Sequence, residues 1–346
     1  MLYAFELSGE HEDLPRAEVL ACLDLVELEY EENDYFDQCL VVDVEGDPQE
    51  VEHKLNYVAE RVAMAHHILK VIEVCPADVD TILEVAERID VSDHINEKQK
   101  YVVRAKRIKH NSTIVCADME RSVGGAIYRK GFNANLKEPD VEFRLILSEK
   151  CVFGSVIASV DRSAYEARAP HKKPFFYPGV LRPRVARALV NMAMVKEKDI
   201  VFDPFCGTAG ILVEAGLVGA KVIGLEVRYK IAVGAHMNLQ HFNTDHTMML
   251  GDACRVPLVD ASVDAVIADP PYGRSARIEA ESLHHLYEAS FAEMYRVLKP
   301  GGTTIIVSEI DIAEFVRDAG FVTKAQYLQR VHKSLTRKIT VLQKPE

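Results

Sequence analysis

From Asp199 onward, short apolar runs alternate with stretches whose apolar residues recur at helical spacing. Asp199 to Phe202, Ala220 to Glu226, Thr247 to Ala253 and Ala265 to Ala268 read as strands. Ile211 to Ala215, Leu283 to Leu298 and Ile310 to Ala319 read as helices. The turn Lys299-Pro300-Gly301-Gly302 leads into a strand over Thr303 to Ser308, and two strands close the chain, about Thr323 to Arg330 and Lys338 to Gln343. This alternation predicts an α/β doubly wound, Rossmann-like sheet with an antiparallel finish. The first half has a different rhythm. Strands are expected over Tyr3 to Leu7, Ile68 to Val74, Tyr101 to Ile108, Glu142 to Ser148 and Cys151 to Val160. Helices are expected over Leu14 to Leu25, Pro48 to His66, Asp78 to Arg88 and Ser112 to Arg129. That order makes an α+β unit, not a second wound sheet.

The 346 residues are 48% hydrophobic with no long low-complexity tract, which is enough for two globular domains with separate cores. No apolar run reaches membrane-spanning length, and the first residues lack a signal peptide's basic flank, so a cytoplasmic protein is expected. The seven cysteines are scattered without a Cys-x-x-Cys pair and suggest neither a zinc site nor disulfides. The net charge of −12 divides unevenly: residues 1–100 carry 7 basic and 26 acidic groups, residues 101–346 carry 34 and 27. Basic clusters include Arg104, Lys106, Arg107, Lys109 and His110; Lys172 and Lys173; and Lys333 with Arg337. Each alone is a solvated face, whereas together they fit a polyanion.

The chemistry concentrates at strand ends. Asp203-Pro204-Phe205-Cys206-Gly207-Thr208-Ala209-Gly210 is a glycine-rich turn between strand and helix. Such a loop ordinarily takes a pyrophosphate, but the Asp203 carboxylate at its mouth suits an ammonium group. Glu226, ending the next strand ahead of Val227, is placed for ribose hydroxyls, an arrangement that nicotinamide enzymes share. Asp252, followed by Ala253, stands at the end of a third strand, where an adenine amino group could bond. Asp269-Pro270-Pro271-Tyr272-Gly273 then ends a fourth. Two prolines hold the Pro270 carbonyl rigidly outward, Asp269 is a second acceptor and Tyr272 is a face for stacking, a set that suits a planar exocyclic amine. Taken alone, Pro-Pro is a strand-ending turn.

These four segments resemble class I S-adenosylmethionine-dependent methyltransferases of the amino-methylating group, from about Pro174 to the C-terminus. The resemblance implies a seven-stranded sheet with the cofactor across the carboxyl ends of its first strands. Asp203 to Gly210 would hold the methionine moiety, Glu226 the ribose, Asp252 and Ala253 the adenine, and Asp269, Pro270 and Tyr272 the target base. Residues 52–160 resemble a THUMP-type tRNA-binding domain, through Tyr101-Val102-Val103-Arg104-Ala105-Lys106-Arg107, Gly124-Gly125 and Gly154-Ser155-Val156-Ile157. A lead-in over 1–51, a linker over 161–175 and a methyltransferase domain over 176–346 complete the expected division. At the joint, Phe175-Phe176-Tyr177-Pro178-Gly179-Val180-Leu181 reads either as a lid over the cofactor, with Tyr177 and Leu181 lining it, or as a turn packed under the sheet. With His332-Lys333-Ser334-Leu335-Thr336-Arg337, this order resembles the archaeal and eukaryotic tRNA guanine N2-methyltransferases that modify position ten. The resemblance implies one or two methyl groups on that nitrogen, tRNA contacts from the basic residues above, and pairing with a small zinc-binding activator protein. A related enzyme acting at position six, a DNA amino-methyltransferase and a non-catalytic tRNA-binding protein share parts of the pattern.

Overall fold

A computed structural model describes residues 1–109, 114–272, 283–332 and 335–346. His110, Gly273, Lys333 and Ser334 therefore lie outside the described residues. The chain divides into two compact units: residues 1–9, 26–60 and 65–161 form the first, and residues 10–25, 61–64 and 162–346 the second.

In chain order the first 161 residues carry β1 (Leu2–Leu7), α1 (Leu14–Leu25), β2 (Tyr30–Phe36), β3 (Cys39–Val44), α2 (Pro48–Arg61), β4 (Ala65–Pro76), α3 (Val79–Arg88), β5 (Lys100–Arg107), α4 (Cys116–Arg129), β6 (Asn133–Ala134), β7 (Val141–Leu147) and β8 (Lys150–Ser159). The strands make one sheet in the order β2-β3-β1-β4-β8-β7-β5-β6. Its one parallel patch is β5 with β6 and β7. The sheet runs straight through the boundary expected at residue 51, because β1 pairs with both β3 and β4. Strands β2 and β3 were not expected. Their hairpin turns on Gln38 at φ +58°, a left-handed position that carries no glycine or asparagine to announce it. Helix α3 starts where the Asp78 carboxylate accepts the Thr81 N–H at 2.8 Å, and it packs Ile82, Val85 and Ala86 into a core shared with α4.

The second unit holds α5 (Ser163–Ala167), α6 (Pro183–Met192), β9 (Ile200–Asp203), α7 (Gly210–Gly216), β10 (Lys221–Glu226), α8 (Tyr229–His241), β11 (His246–Leu250), β12 (Val263–Ala268), α9 (Leu283–Val297), β13 (Leu298–Ser308), α10 (Ala313–Ala319), β14 (Val322–His332) and β15 (Leu335–Gln343), along with α1. Its sheet has seven strands in the order β11-β10-β9-β12-β13-β15-β14. The first five are mutually parallel, β15 runs antiparallel to β13, and β14 pairs antiparallel with β15, the antiparallel finish that the alternation of elements predicts. The turn expected at residues 299–302 is instead an irregular start to β13, with Gly301 at φ +74° and a register shift against β12.

Successive residues of the central strands go to opposite faces, each covered by helices. Val201, Ile267 and Ile305 enter one core with α6 and α7, and Phe202, Val266 and Ile306 the other with α9. Burying a side chain such as Phe202 or Phe291 contributes about 1.5–3 kcal/mol apiece. Strand order reverses between β9 and β12. In a wound sheet the crevice beyond the carboxyl ends of two such strands is where a ligand fits.

Candidate active site

At that reversal lies a cavity of about 380 Å³. It is lined by Asp203, Pro204, Cys206, Gly207, Thr208 and Gly210 from the loop after β9, by Glu226 and Val227 from the end of β10, and by Asp252 and Ala253 from beyond β11. Asp269, Pro270 and Tyr272 after β12, together with Tyr177 and Leu181, complete the wall. All four segments expected to hold cofactor or target base thus border one space, with Ala209 alone of the loop buried beneath it.

The loop after β9 turns on two left-handed residues, Gly207 at φ +51° and Ala209 at φ +63°. A side chain at Gly210 would project into open space. Asp203 is 1% exposed, and its carboxylate accepts the Phe205 N–H at 2.9 Å. Burial pushes its pKa well above the usual carboxylate range, and the nearby Asp269 and Glu226 push it further. Burial likewise raises the Cys206 thiol, so this cysteine packs against the loop as a neutral side chain. One oxygen of Glu226 accepts the backbone N–H of Arg228 at 3.0 Å and its Nε at 3.1 Å. Asp252 accepts the Cys254 N–H at 2.9 Å, closing a tight turn that fixes Ala253 in the wall.

Across the cavity, the Tyr272 hydroxyl donates to Oδ1 of Asp269. The other oxygen, Oδ2, faces the Arg337 guanidinium at 4.0 Å. Burial lifts Asp269 to about 6, against the pull of Arg337 and of the Tyr272 hydroxyl. Tyr287 of α9 is fully buried, stacks on Phe291, and reaches the Pro271 carbonyl at 3.4 Å.

Three residues of this site carry no motif. Asn238 of α8, wholly buried, accepts the Phe175 N–H and donates to the carbonyls of Phe175 and Thr208, at 2.9, 2.9 and 3.0 Å. It ties the segment before Tyr177 to the glycine-rich loop. The Phe175 ring sits against Gly234, where any side chain would collide with it. The segment therefore joins the two expected alternatives, because Phe175 is the packed anchor and Tyr177 the cavity wall. Arg228, the second such residue, holds Glu226 and lies 5.3 Å from the Tyr177 ring centre. Tyr287 is the third; its helical spacing marks it only as core.

The expected tRNA contacts separate. Lys106, Arg107 and Lys109 are exposed in the first unit, with Lys109 ion-paired to Asp37 at 2.6 Å. Arg104 is half-buried and donates to the Leu136 carbonyl at 3.4 Å. Lys172 is exposed, whereas Lys173 is partly buried and its ammonium is held below its ordinary pKa by desolvation. Arg337 departs most from the expectation, since its side chain is 11% exposed and borders the cavity, not an open surface.

The methyltransferase-domain model described as RMKL-like matches residues 170–339, and the THUMP domain model matches residues 76–154. A tRNA (guanine(10)-N2)-dimethyltransferase of Methanothermobacter thermautotrophicus is 32% identical over 98% of this chain and 98% of its own length. The chain belongs to the archaeal tRNA (guanine(10)-N2)-dimethyltransferase family. Another member, from Pyrococcus abyssi, is 30% identical over 99% of both chains. The crystal structure of TrmN from Thermus thermophilus shares the fold, with a TM-score of 0.57 over 99% of this chain and 100% of that one, at 21% identity. The family's cofactor is S-adenosylmethionine, and the residues here fit it. A buried Asp203 with one backbone N–H bond, beside two further acids, suits a ligand that arrives with a cationic amino-acid end. Among the described residues no helix is long and apolar enough to cross a membrane.

Proposed function

We propose that this chain transfers methyl groups from S-adenosylmethionine to the exocyclic N2 of guanosine at position ten of tRNA, once or twice, in the cytoplasm. The observation that carries this reading is the placement of Asp269, Pro270 and Tyr272 across one cavity from Asp203, Glu226 and Asp252. The full-length similarity to family members so named supports the substrate.

In this reading Asp203 takes the ammonium group, Glu226 the ribose hydroxyls, and Asp252 with Ala253 the adenine, while Tyr177 covers them. Bound there, the cofactor supplies an electrophilic methyl group on a cationic sulfur. Oδ2 of Asp269 and the Pro270 carbonyl accept the two N–H bonds of the flipped guanine's amino group, drawing its lone pair out of conjugation, and the base lies against Tyr272. Tyr272 fixes the other Asp269 oxygen, so the acceptor is oriented before the base arrives. Once methylated, the nitrogen is acidic. Asp269, at about 6, takes the surplus proton and returns it to water.

Exposed Lys106, Arg107 and Lys109 in the first unit support a tRNA grip there. Pairing with the activator protein that the family resemblance implies is supported by exposed apolar residues on the edge strand β11 and on α8, namely Leu250, Val233 and Met237.

The test is incubation with methyl-labelled S-adenosylmethionine and an unmodified tRNA transcript, in competition with duplex DNA, followed by digestion and mass spectrometry. N2-methyl- or N2,N2-dimethylguanosine at position ten is the expected product. Label at position six would change the position, and label in DNA would overturn the substrate.

A further inference from the structure

We propose that Arg337 is a positioning residue for methyl transfer, holding Asp269 as an oriented carboxylate whose Oδ2 accepts from the target amine. The inference rests on the reading of Asp269 given above.

Arg337 reaches the cavity from β15, in the antiparallel half of the sheet, whereas Asp269 follows β12. Its terminal nitrogen stands 4.0 Å from Oδ2, beyond a direct hydrogen bond but well within the range of strong Coulombic influence at a mostly buried site. Its Nε is buried and without a partner among the described residues. A buried guanidinium donor left unbonded is costly, so a cation placed this way requires a reason.

The groups around Asp269 supply one. The Tyr272 hydroxyl bonds Oδ1, and Tyr287 of α9 and Asp203 of β9 lie within electrostatic reach. The tyrosines are neutral and Asp203 can add only negative charge. Among the described residues Arg337 is therefore the cation that opposes the desolvation of Asp269, which without it would stay protonated to higher pH. A protonated Asp269 would meet the amine with an O–H and lose an acceptor.

A double-mutant cycle in the free protein reads this directly. Thermal unfolding of the wild type, Arg337→Gln, Asp269→Asn and the double variant is compared at pH 5 and pH 8. Arg337→Gln should lower Tm more at pH 8 than at pH 5, and in the Asp269→Asn background the two losses should be equal. The same dependence on pH in both backgrounds would overturn the proposal. Methyl transfer against pH gives a second readout, in which the acid limb of Arg337→Gln should move up by about one pH unit, with Arg337→Lys between it and the wild type. A lowered tRNA affinity with an unmoved pH profile would instead return Arg337 to a phosphate contact. A wild type that methylates no tRNA defeats the functional reading while leaving the cycle interpretable; an active wild type with no coupling defeats only the role of Arg337.

Discussion

At the scale of single residues, Asp269 is asked to do two opposed things. It must be ionised to accept from the amine, yet it sits where burial lifts it to about 6. Its folded pKa is thus raised above the usual unfolded value near 3.9, so its contribution to stability is fully present below that value and lost as pH rises through about 6. Activity should follow the reverse course, falling as pH drops through the same range. Asp269→Asn should therefore be more stable than the wild type at pH 8, by up to about 3 kcal/mol in urea unfolding, while being nearly inactive. Asp269→Ala should lose on the order of 10²-fold or more in turnover with S-adenosylmethionine affinity, measured by calorimetry, nearly unchanged. Near-normal turnover in that variant would remove Asp269 from the chemistry.

At the scale of elements, the second sheet was legible because its chemistry marks its strand ends. Asp203, Glu226, Asp252 and Asp269 each follow an apolar run, and one fold explains all four. The first unit offers no such punctuation. Strand β2 is an edge strand whose Glu31, Glu32 and Asp34 keep that edge from pairing further, and their charge removes the apolar alternation by which a strand is recognised. Asn238 shows a different limit. Nothing in a helix sequence says that one amide will bond two backbone segments about thirty and sixty positions away. Because that amide secures the anchor behind Tyr177, Asn238→Ala should leave up to three backbone groups unbonded. We expect a stability loss of roughly 1–3 kcal/mol and a cofactor Kd raised on the order of tenfold, with turnover at saturation altered less. Calorimetric titration beside single-turnover rates separates the two effects, and an unchanged Kd would mean that the Tyr177 segment does not contribute to cofactor binding.

At the scale of the whole molecule, the sequence suggests a methyltransferase domain over residues 176–346 behind a linker at 161–175, whereas the second unit takes residues 10–25 and 61–64 together with 162–346. Helical periodicity announces that α1 has a buried face without naming what covers it. In the structure Leu14, Ala17, Ala63 and Met64 enter the same core as Leu189 and Val201. Glu18, fully buried, accepts the Ala63 and Met64 N–H groups at 2.9 and 2.8 Å and the Asn191 amide at 2.7 Å. Asn191 in turn accepts from Arg61 at 3.2 Å, and Arg61 also donates to the Val195 carbonyl at 2.9 Å. Desolvation nonetheless pushes Glu18 up to about 7, so the network is held by its geometry and not by an easy charge. A fragment starting at residue 162 would strip one side of this core and leave Asn191 without its two partners, Glu18 and Arg61. Such a fragment should aggregate, or unfold well below the intact chain in thermal denaturation, even though it keeps every residue of the cavity. A fragment that melted with the intact protein would show that residues 10–25 and 61–64 add nothing to the second unit's stability.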